Sequence, residues 1–375
     1  MGSFDIQELN AHGDPEPETF NVQLSTLNSQ LSTLNWPGRW GERNICPGGD
    51  SPALCRSCSM SRVTEPSSSS TQAPPQAGID GLPPVTPPRK GFLPLVRDVL
   101  DHGGPGYLQF AITNLCNAKC GFCGFAVDRF DPRRRRSVTL AEAREVVDIC
   151  VRNRIGYLLF VGGEPLAHRD LGAMVRCASE RGVRAMICTN GSLWTDDNMR
   201  ALAGNGLAGV IMSVDAPDAG RHEENRGLPG VCAKIRRANA VFARLGVQST
   251  ASVTVSRLID DYAKLPAFLR GLGFASCTFS YPLTTLGSTY LSFSDSQLVA
   301  YRKDELIEVF EQIKRMKRES GFPVVNPSES LTEMQRHLRG EKERFGCLGG
   351  HKYFYLDWNL DLYRCHYWET PMCSI

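Results

Sequence analysis

No stretch of about 18 or more apolar residues interrupts this 375-residue sequence, so no segment reads as a membrane-spanning helix. The amino terminus also lacks the basic start and apolar core of a secretory signal. An excess of one charge is missing too. The sequence has 42 Lys and Arg against 40 Asp and Glu, a net charge of +2, which gives no general affinity for nucleic acid or a membrane surface. The expectation is a cytoplasmic protein with neither kind of partner, and thiols that must stay reduced fit that compartment.

Cysteine, by contrast, is plentiful, with 14 in the chain. Three of them, Cys116, Cys120 and Cys123, lie in Asn114-Leu-Cys-Asn-Ala-Lys-Cys-Gly-Phe-Cys-Gly124. A four-iron, four-sulfur cluster normally takes one thiolate per iron. Three ligands from one short loop leave an iron open to a small molecule, as a catalytic metal site leaves a position for substrate. A structural zinc knuckle or a chance cluster is the competing reading. Zinc sites are usually built from paired Cys-x2-Cys units, and this run does not supply four ligands.

Downstream, Leu158-Leu-Phe-Val runs as a buried strand into Gly162, Gly163, Glu164 and Pro165. Glycines let the backbone come close to a ligand, and the carboxylate can accept bonds from an ammonium group. An ordinary strand-to-loop turn would look the same, but this one follows the cysteines by one βα unit. Further apolar runs close in small polar residues: one at Thr189, Asn190 and Gly191, one at Ser213 and Asp215, one near Thr254. Such runs, separated by helical patterns, indicate parallel strands with crossover helices. We place six strands near residues 107–113, 156–161, 184–189, 208–214, 247–254 and 275–280. Thr139-Leu-Ala-Glu142 reads as a capping box for a helix to about Arg152, and Ser294-Asp-Ser-Gln297 as one for a long helix to about Glu319. The fold class is α/β, a partial (βα)6 TIM-like barrel over 92–320 with a lateral mouth. In barrels of this kind, ligands sit at the C-terminal strand ends.

The cysteine loop, with aromatic Phe122 before its last cysteine, resembles that of the radical S-adenosylmethionine (SAM) superfamily. The resemblance implies that the open iron binds the amino and carboxylate groups of SAM. One electron then breaks a carbon-sulfur bond, and a 5'-deoxyadenosyl radical abstracts hydrogen from a peptide or small-molecule substrate. It further implies that Gly162, Gly163, Glu164 and Pro165 meet the cofactor's amino group, with Asn190 in the same cofactor set. Ser213 and Asp215 would lie near its ribose or methionine part, and Arg226 near its carboxylate. Taken singly, each is more often a turn or cap residue. An oxidoreductase fed by an electron donor such as flavodoxin or ferredoxin is the implied activity.

A second cysteine set, Cys347, Cys365 and Cys373, closes the sequence. The segment between the first two alternates like a hairpin turning near Asp357 to Leu360, which brings them together at its base. It resembles the SPASM or twitch extension that holds an auxiliary iron-sulfur cluster, over 321–375 with a linker helix. The family usually has glycine five residues before the second cysteine, where this chain has Leu360. A fourth ligand would be His366, another residue or the substrate. Three unrelated thiols, or a zinc site with His366 or His351, is the alternative.

Residues 1–91, with a Leu-Ser-Thr-Leu-Asn repeat, a serine run and a proline-rich stretch, read as a mostly disordered tail. Cys46, Cys55 and Cys58 there match no ligand spacing. Cys150, Cys177, Cys188, Cys232 and Cys277 read as core residues. Arg133 to Arg136 read as a solvated loop, or more sharply as a contact for an acidic substrate or redox partner. No cobalamin-binding domain and no glycine-rich basic tail of the molybdenum-cofactor cyclases is apparent. A zinc-stabilised binding protein and a catalytically degenerate, peptide-binding barrel remain as alternatives.

Overall fold

The computed structural model describes residues 106–125, 132–282, 296–368 and 370–375. The 1–91 tail with its three cysteines, and Ser294, lie outside the described residues. Six parallel strands follow one another in sequence and in space: β1 (Gly106–Thr113), β2 (Ile155–Gly162), β3 (Arg184–Thr189), β4 (Gly209–Val214), β5 (Gln248–Thr254) and β6 (Ser276–Ser280). Each agrees with its sequence-predicted span to within a residue or so. Helices α1 (Leu140–Arg152), α2 (Leu171–Glu180), α3 (Asp196–Gly204), α4 (Ala219–Arg226), α5 (Val231–Leu245), α6 (Leu265–Gly271), α7 (Lys303–Ser320) and α8 (Ser328–Arg339) complete the crossovers and their continuation.

The strands alternate one fully buried side chain with one that faces the barrel interior. Phe110, Ile112, Leu158, Phe160, Ile187, Val210 and Met212 form the layer that packs on the helices, together with Val146, Met174, Ile235 and Phe242. The polar side chains Gln109, Cys188 and Ser213 lie on the opposite set of positions. The helices start where local chemistry dictates. Thr139 caps α1 and Glu142 reaches back to the Thr139 N–H at 2.7 Å, the reciprocal box read from the sequence.

The second expected box rests on Ser294, outside the described residues; the Ser296 carbonyl accepts the Val299 N–H at 3.0 Å, and α7 begins only at Lys303. Glu305 caps it by accepting the Arg302 N–H at 2.8 Å.

The carboxy-terminal hairpin is not a separate appendage. Strand β7 (Tyr353–Leu356) pairs in parallel with β1, and β8 (Asp361–Tyr363) and β9 (Cys373–Ser374) extend the same sheet. The opposite edge is sealed where Cys277 of β6 bonds to Pro323 and Val325, and Asn326 takes the Phe279 N–H at 2.7 Å. The two ends approach where the Tyr367 hydroxyl donates to the Tyr281 carbonyl at 2.7 Å.

Candidate cluster and cofactor site

The cysteine loop leaves β1 at Thr113 and is fastened on every side by main-chain bonds. The Gly163 and Glu164 N–H groups donate to the Thr113 and Leu115 carbonyls at 2.8 and 2.7 Å. A Cβ at Gly162, whose φ is +131°, would run into the Thr113 carbonyl oxygen, and one at Gly163 into that of Leu115. The two glycines therefore let the end of β2 lie directly on the cysteine loop. Lys119 N–H donates to the Arg226 carbonyl at 2.8 Å, and Gly121 N–H to Asn225 Oδ1 at 3.2 Å. Asn117 is held from β3 by Asn190 Nδ2 at 2.9 Å.

Glu164 is fully buried and already engaged. Its carboxylate accepts the Thr189 hydroxyl at 2.6 Å, the Asn190 N–H at 2.8 Å and the Leu166 N–H at 3.0 Å. The sequence suggested a carboxylate waiting for an ammonium group; the fold uses most of its acceptor capacity to join β2 to β3. Pro165 follows it, buried, at the start of a short helical turn.

Across the site, Asp215 at the end of β4 is fully buried. It accepts Arg226 Nη2 at 2.7 Å and Asn225 Nδ2 at 2.9 Å. Its N–H donates to His222 Nδ1 at 3.1 Å, so the imidazole proton sits on Nε2; burial and the Arg226 charge push the His222 pKa down to about 4. Ser213 is half-buried and donates to the Thr189 carbonyl at 3.4 Å. Cys188, assigned from its pattern to the core, is half-buried and lies within electrostatic reach of Glu164 and Arg226.

Does this set fit an iron-sulfur cluster and its small-molecule ligand? Cys120 is buried and Cys116 and Cys123 half-buried. Burial pushes the Cys116 thiol up to about 11 and the Cys123 thiol to about 12, and the neighbouring sulfurs push the same way while Arg226 opposes them. The Cys116 and Cys123 thiols keep their protons in such surroundings until a metal centre arrives, and coordination then removes them. Arg226 supplies the second half of the fit. Its guanidinium is buried, one edge is taken by Asp215, and its Nε–H has no partner. An unpaired buried N–H costs about 1–3 kcal/mol, and a carboxylate ligand would satisfy it. The residues fit the group.

The sequence reading overlooked Asn117, His222 and Asn225. Only their fixed spacing from the cysteines and from Arg226 could have drawn notice.

At the base of the hairpin, Cys347 and Cys365 flank Gly349, whose N–H donates to Cys347 Sγ at 3.3 Å. Cys373 lies opposite Leu362, three positions before Cys365 along β8. Thus the fold gathers the first two cysteines and sets the third further along the strand. His366 Nδ1 accepts the Tyr353 hydroxyl at 2.6 Å, and burial pushes this imidazole down to about 4.

The first loop of the parallel βα barrel thus carries three neighbouring thiols, with the buried Arg226–Asp215 pair across from them. Residues 110–257 match the family described as the Radical SAM superfamily, so that stretch of the chain is a radical SAM domain. Members of the superfamily use a four-iron, four-sulfur cluster and SAM. The AdoMet-dependent heme synthase of Oleidesulfovibrio alaskensis is 23% identical over 297 residues, 74% of this chain and 74% of that protein. A GTP 3',8-cyclase from Synechococcus elongatus is 30% identical over 167 residues, 44% of this chain and 50% of the cyclase. Streptococcus suis SuiB, crystallised with its precursor peptide SuiA, shares the fold with a TM-score of 0.54 at 17% identity, over 73% of this chain and 63% of SuiB. The chain therefore spans less than two thirds of SuiB and half of the cyclase.

Proposed function

We propose that the protein is an oxidoreductase of the radical SAM type that acts on a peptide or small-metabolite substrate, with its cofactor-binding cluster on Cys116, Cys120 and Cys123. The observation that carries this reading is the convergence of three desolvated thiols on a buried guanidinium with an unused N–H. When bound, the cluster and SAM together supply the carbon radical that removes hydrogen from the substrate. Arg226 receives the carboxylate of SAM, and Asp215 holds Arg226 in place. Gly162, Gly163, Glu164 and Pro165 fix the distance between the cysteine loop and β3, with Asn190 and Ser213 on the cofactor side.

An auxiliary iron-sulfur cluster on Cys347, Cys365 and Cys373, with His366, another residue or the substrate as fourth ligand, belongs to the same reading. The SuiB complex makes a peptide substrate the first class to test. A cytoplasmic location and reduction by a flavodoxin or ferredoxin complete the proposal.

The test is anaerobic reconstitution followed by 5'-deoxyadenosine detection and metal counting. The wild type is expected to hold about eight irons and cleave SAM reductively, and the Cys116/Cys120/Cys123→Ala variant to hold about four and cleave none. One tightly held zinc in both proteins, with no second cluster, would assign the carboxy-terminal cysteines to a structural site. Cleavage surviving in the triple variant would overturn the reading.

A further inference from the structure

Strands β1 to β7 carry very little charge. Among the described residues their one ionised side chain is Arg184, the first residue of β3, whose guanidinium lies over the Tyr157 ring at 5.8 Å. At the opposite, C-terminal strand ends the buried charges are matched: Asp215 holds Arg226, and Glu164 accepts three hydrogen bonds. The strands between these ends offer a ligand neutral groups only.

Strands β5 and β6 supply the polar wall. Ala251, Val253, Cys277 and Phe279 pack into the core with the helices, so strand alternation turns Ser252, Thr254 and Ser280 the other way, into the barrel. Ser252 stands in register with Ser213, and Thr254 with Ser280. The wall therefore begins one strand spacing, about 4.8 Å, from a residue on the cofactor side.

The neighbouring hydroxyls are occupied. Thr250 and Ser276 share a bond at 3.0 Å, and Thr278 donates to Asn326 at 3.2 Å. The hydroxyls of Ser252, Thr254 and Ser280 make no such bond among the described residues, although Thr254 is only 8% exposed. Each can donate and accept, and a ligand that closes the recess must satisfy them.

Ser252 and Thr254 lie two residues apart along a strand, about 6.6 Å, with Ser280 one strand across. Peptide units repeat about every 3.8 Å, each with one donor and one acceptor, so the patch matches two consecutive amides. A carboxylate or phosphate would meet hydroxyls but no cation on these strands, and burying an unpaired anion is costly. We propose that Ser252, Thr254 and Ser280 bind an uncharged, amide-bearing segment of the substrate beside the cofactor and select against anionic metabolites. The inference rests on the radical SAM reading and narrows its substrate to a peptide.

The test uses the reconstituted full chain in the presence of SAM and three probes: a pool of N-acetylated, C-amidated tripeptides of uncharged residues, a matching pool with one Asp or Glu, and GTP. Equilibrium dialysis read by mass spectrometry should show wild-type protein retaining members of the uncharged pool at least about fivefold better than the acidic pool or GTP. Ser252→Ala/Thr254→Val/Ser280→Ala should reduce that retention about tenfold, with SAM affinity and dithionite-driven SAM cleavage within about twofold of wild type. Thr254→Val alone keeps the side-chain shape and should reduce it about threefold, which decides the matter even if the triple variant does not fold.

Equal or better retention of the acidic pool or of GTP would overturn the proposal, as would no retention of the uncharged pool or retention unchanged by Thr254→Val. A comparable loss of SAM affinity would assign the wall to the cofactor and overturn it as well. If wild-type protein cleaves no SAM even with dithionite, the radical reading fails by itself, and the peptide pools still decide what the wall binds.

Discussion

Replacing Glu164 by alanine separates two ways in which one carboxylate can matter. If it served only the cofactor, its loss would weaken SAM binding and leave the unliganded fold alone. The geometry predicts otherwise, because the change strands three buried donors: the Thr189 hydroxyl and the N–H groups of Asn190 and Leu166. Each buried donor left unpaired costs about 1–3 kcal/mol, and the hydroxyl can turn elsewhere, so a loss of about 4 kcal/mol is expected. For a domain of this size about 1 kcal/mol corresponds to about 2–4 °C, which puts the fall in melting temperature at about 8–16 °C. Glu164→Gln keeps an acceptor for Thr189 and Leu166 and should lose roughly a third as much. Thermal unfolding of both variants without SAM, followed by circular dichroism, reads the difference. An alanine variant melting within about 2 °C of wild type would refute the argument and return Glu164 to a purely ligand-binding role.

Three further outcomes are expected. The folded-state pKa of His222, near 4, lies below the unfolded value of about 6.5, so the unfolded chain takes up the proton first as pH falls. Stability is then flat above pH about 6.5 and declines by about 2 kcal/mol by pH 5 on this account, a slope that His222→Asn, which retains an acceptor for the Asp215 N–H, should reduce in urea titrations of metal-free protein. Trp358, buried at the hairpin turn, meets Phe125 edge-on at 5.3 Å, two residues past Cys123. Trp358→Ala should therefore cost about 3–5 kcal/mol and lower iron retention on the first cluster, whereas Trp358→Phe should keep most of it, as iron counts will check. Leu360→Gly relieves a left-handed backbone, φ +69°, worth about 1–2 kcal/mol, but empties a position only 8% exposed and worth about 2–5 kcal/mol. Net destabilisation is expected, and an increase in urea midpoint would contradict it.

The strands and the first helix were readable because their signals are local. An apolar run ending in small polar residues, or a threonine three positions before a glutamate, carries its own explanation. The long helix expected after Ser294–Gln297 begins later, at Lys303: serine and aspartate also favour turns, the Ser296 carbonyl closes one, and Glu305 caps the helix. Gly162 and Gly163 stand against the Thr113 and Leu115 carbonyls, a close approach of backbone to backbone that only the fold discloses. Asn225 and His222 gave no signal, since a polar residue on a helix is ordinary until the fold turns it toward Asp215. Leu360 departs from the glycine usual in the resembled extension, and the structure supplies a reason: its side chain belongs to the core, so burial offsets the backbone cost.

The pairing of β7 with β1 matters for how the protein is made. Tyr107 waits for Tyr353, 246 positions later, before β1 gains its outer neighbour, and Trp358 reaches Phe125 later still. Contacts of such long range are slow to form and arise late in synthesis. The first cysteine loop therefore leaves the ribosome long before the residues that brace it. A chain cut short before β7 carries the first cysteine loop without the bracing that Tyr353 and Trp358 give it.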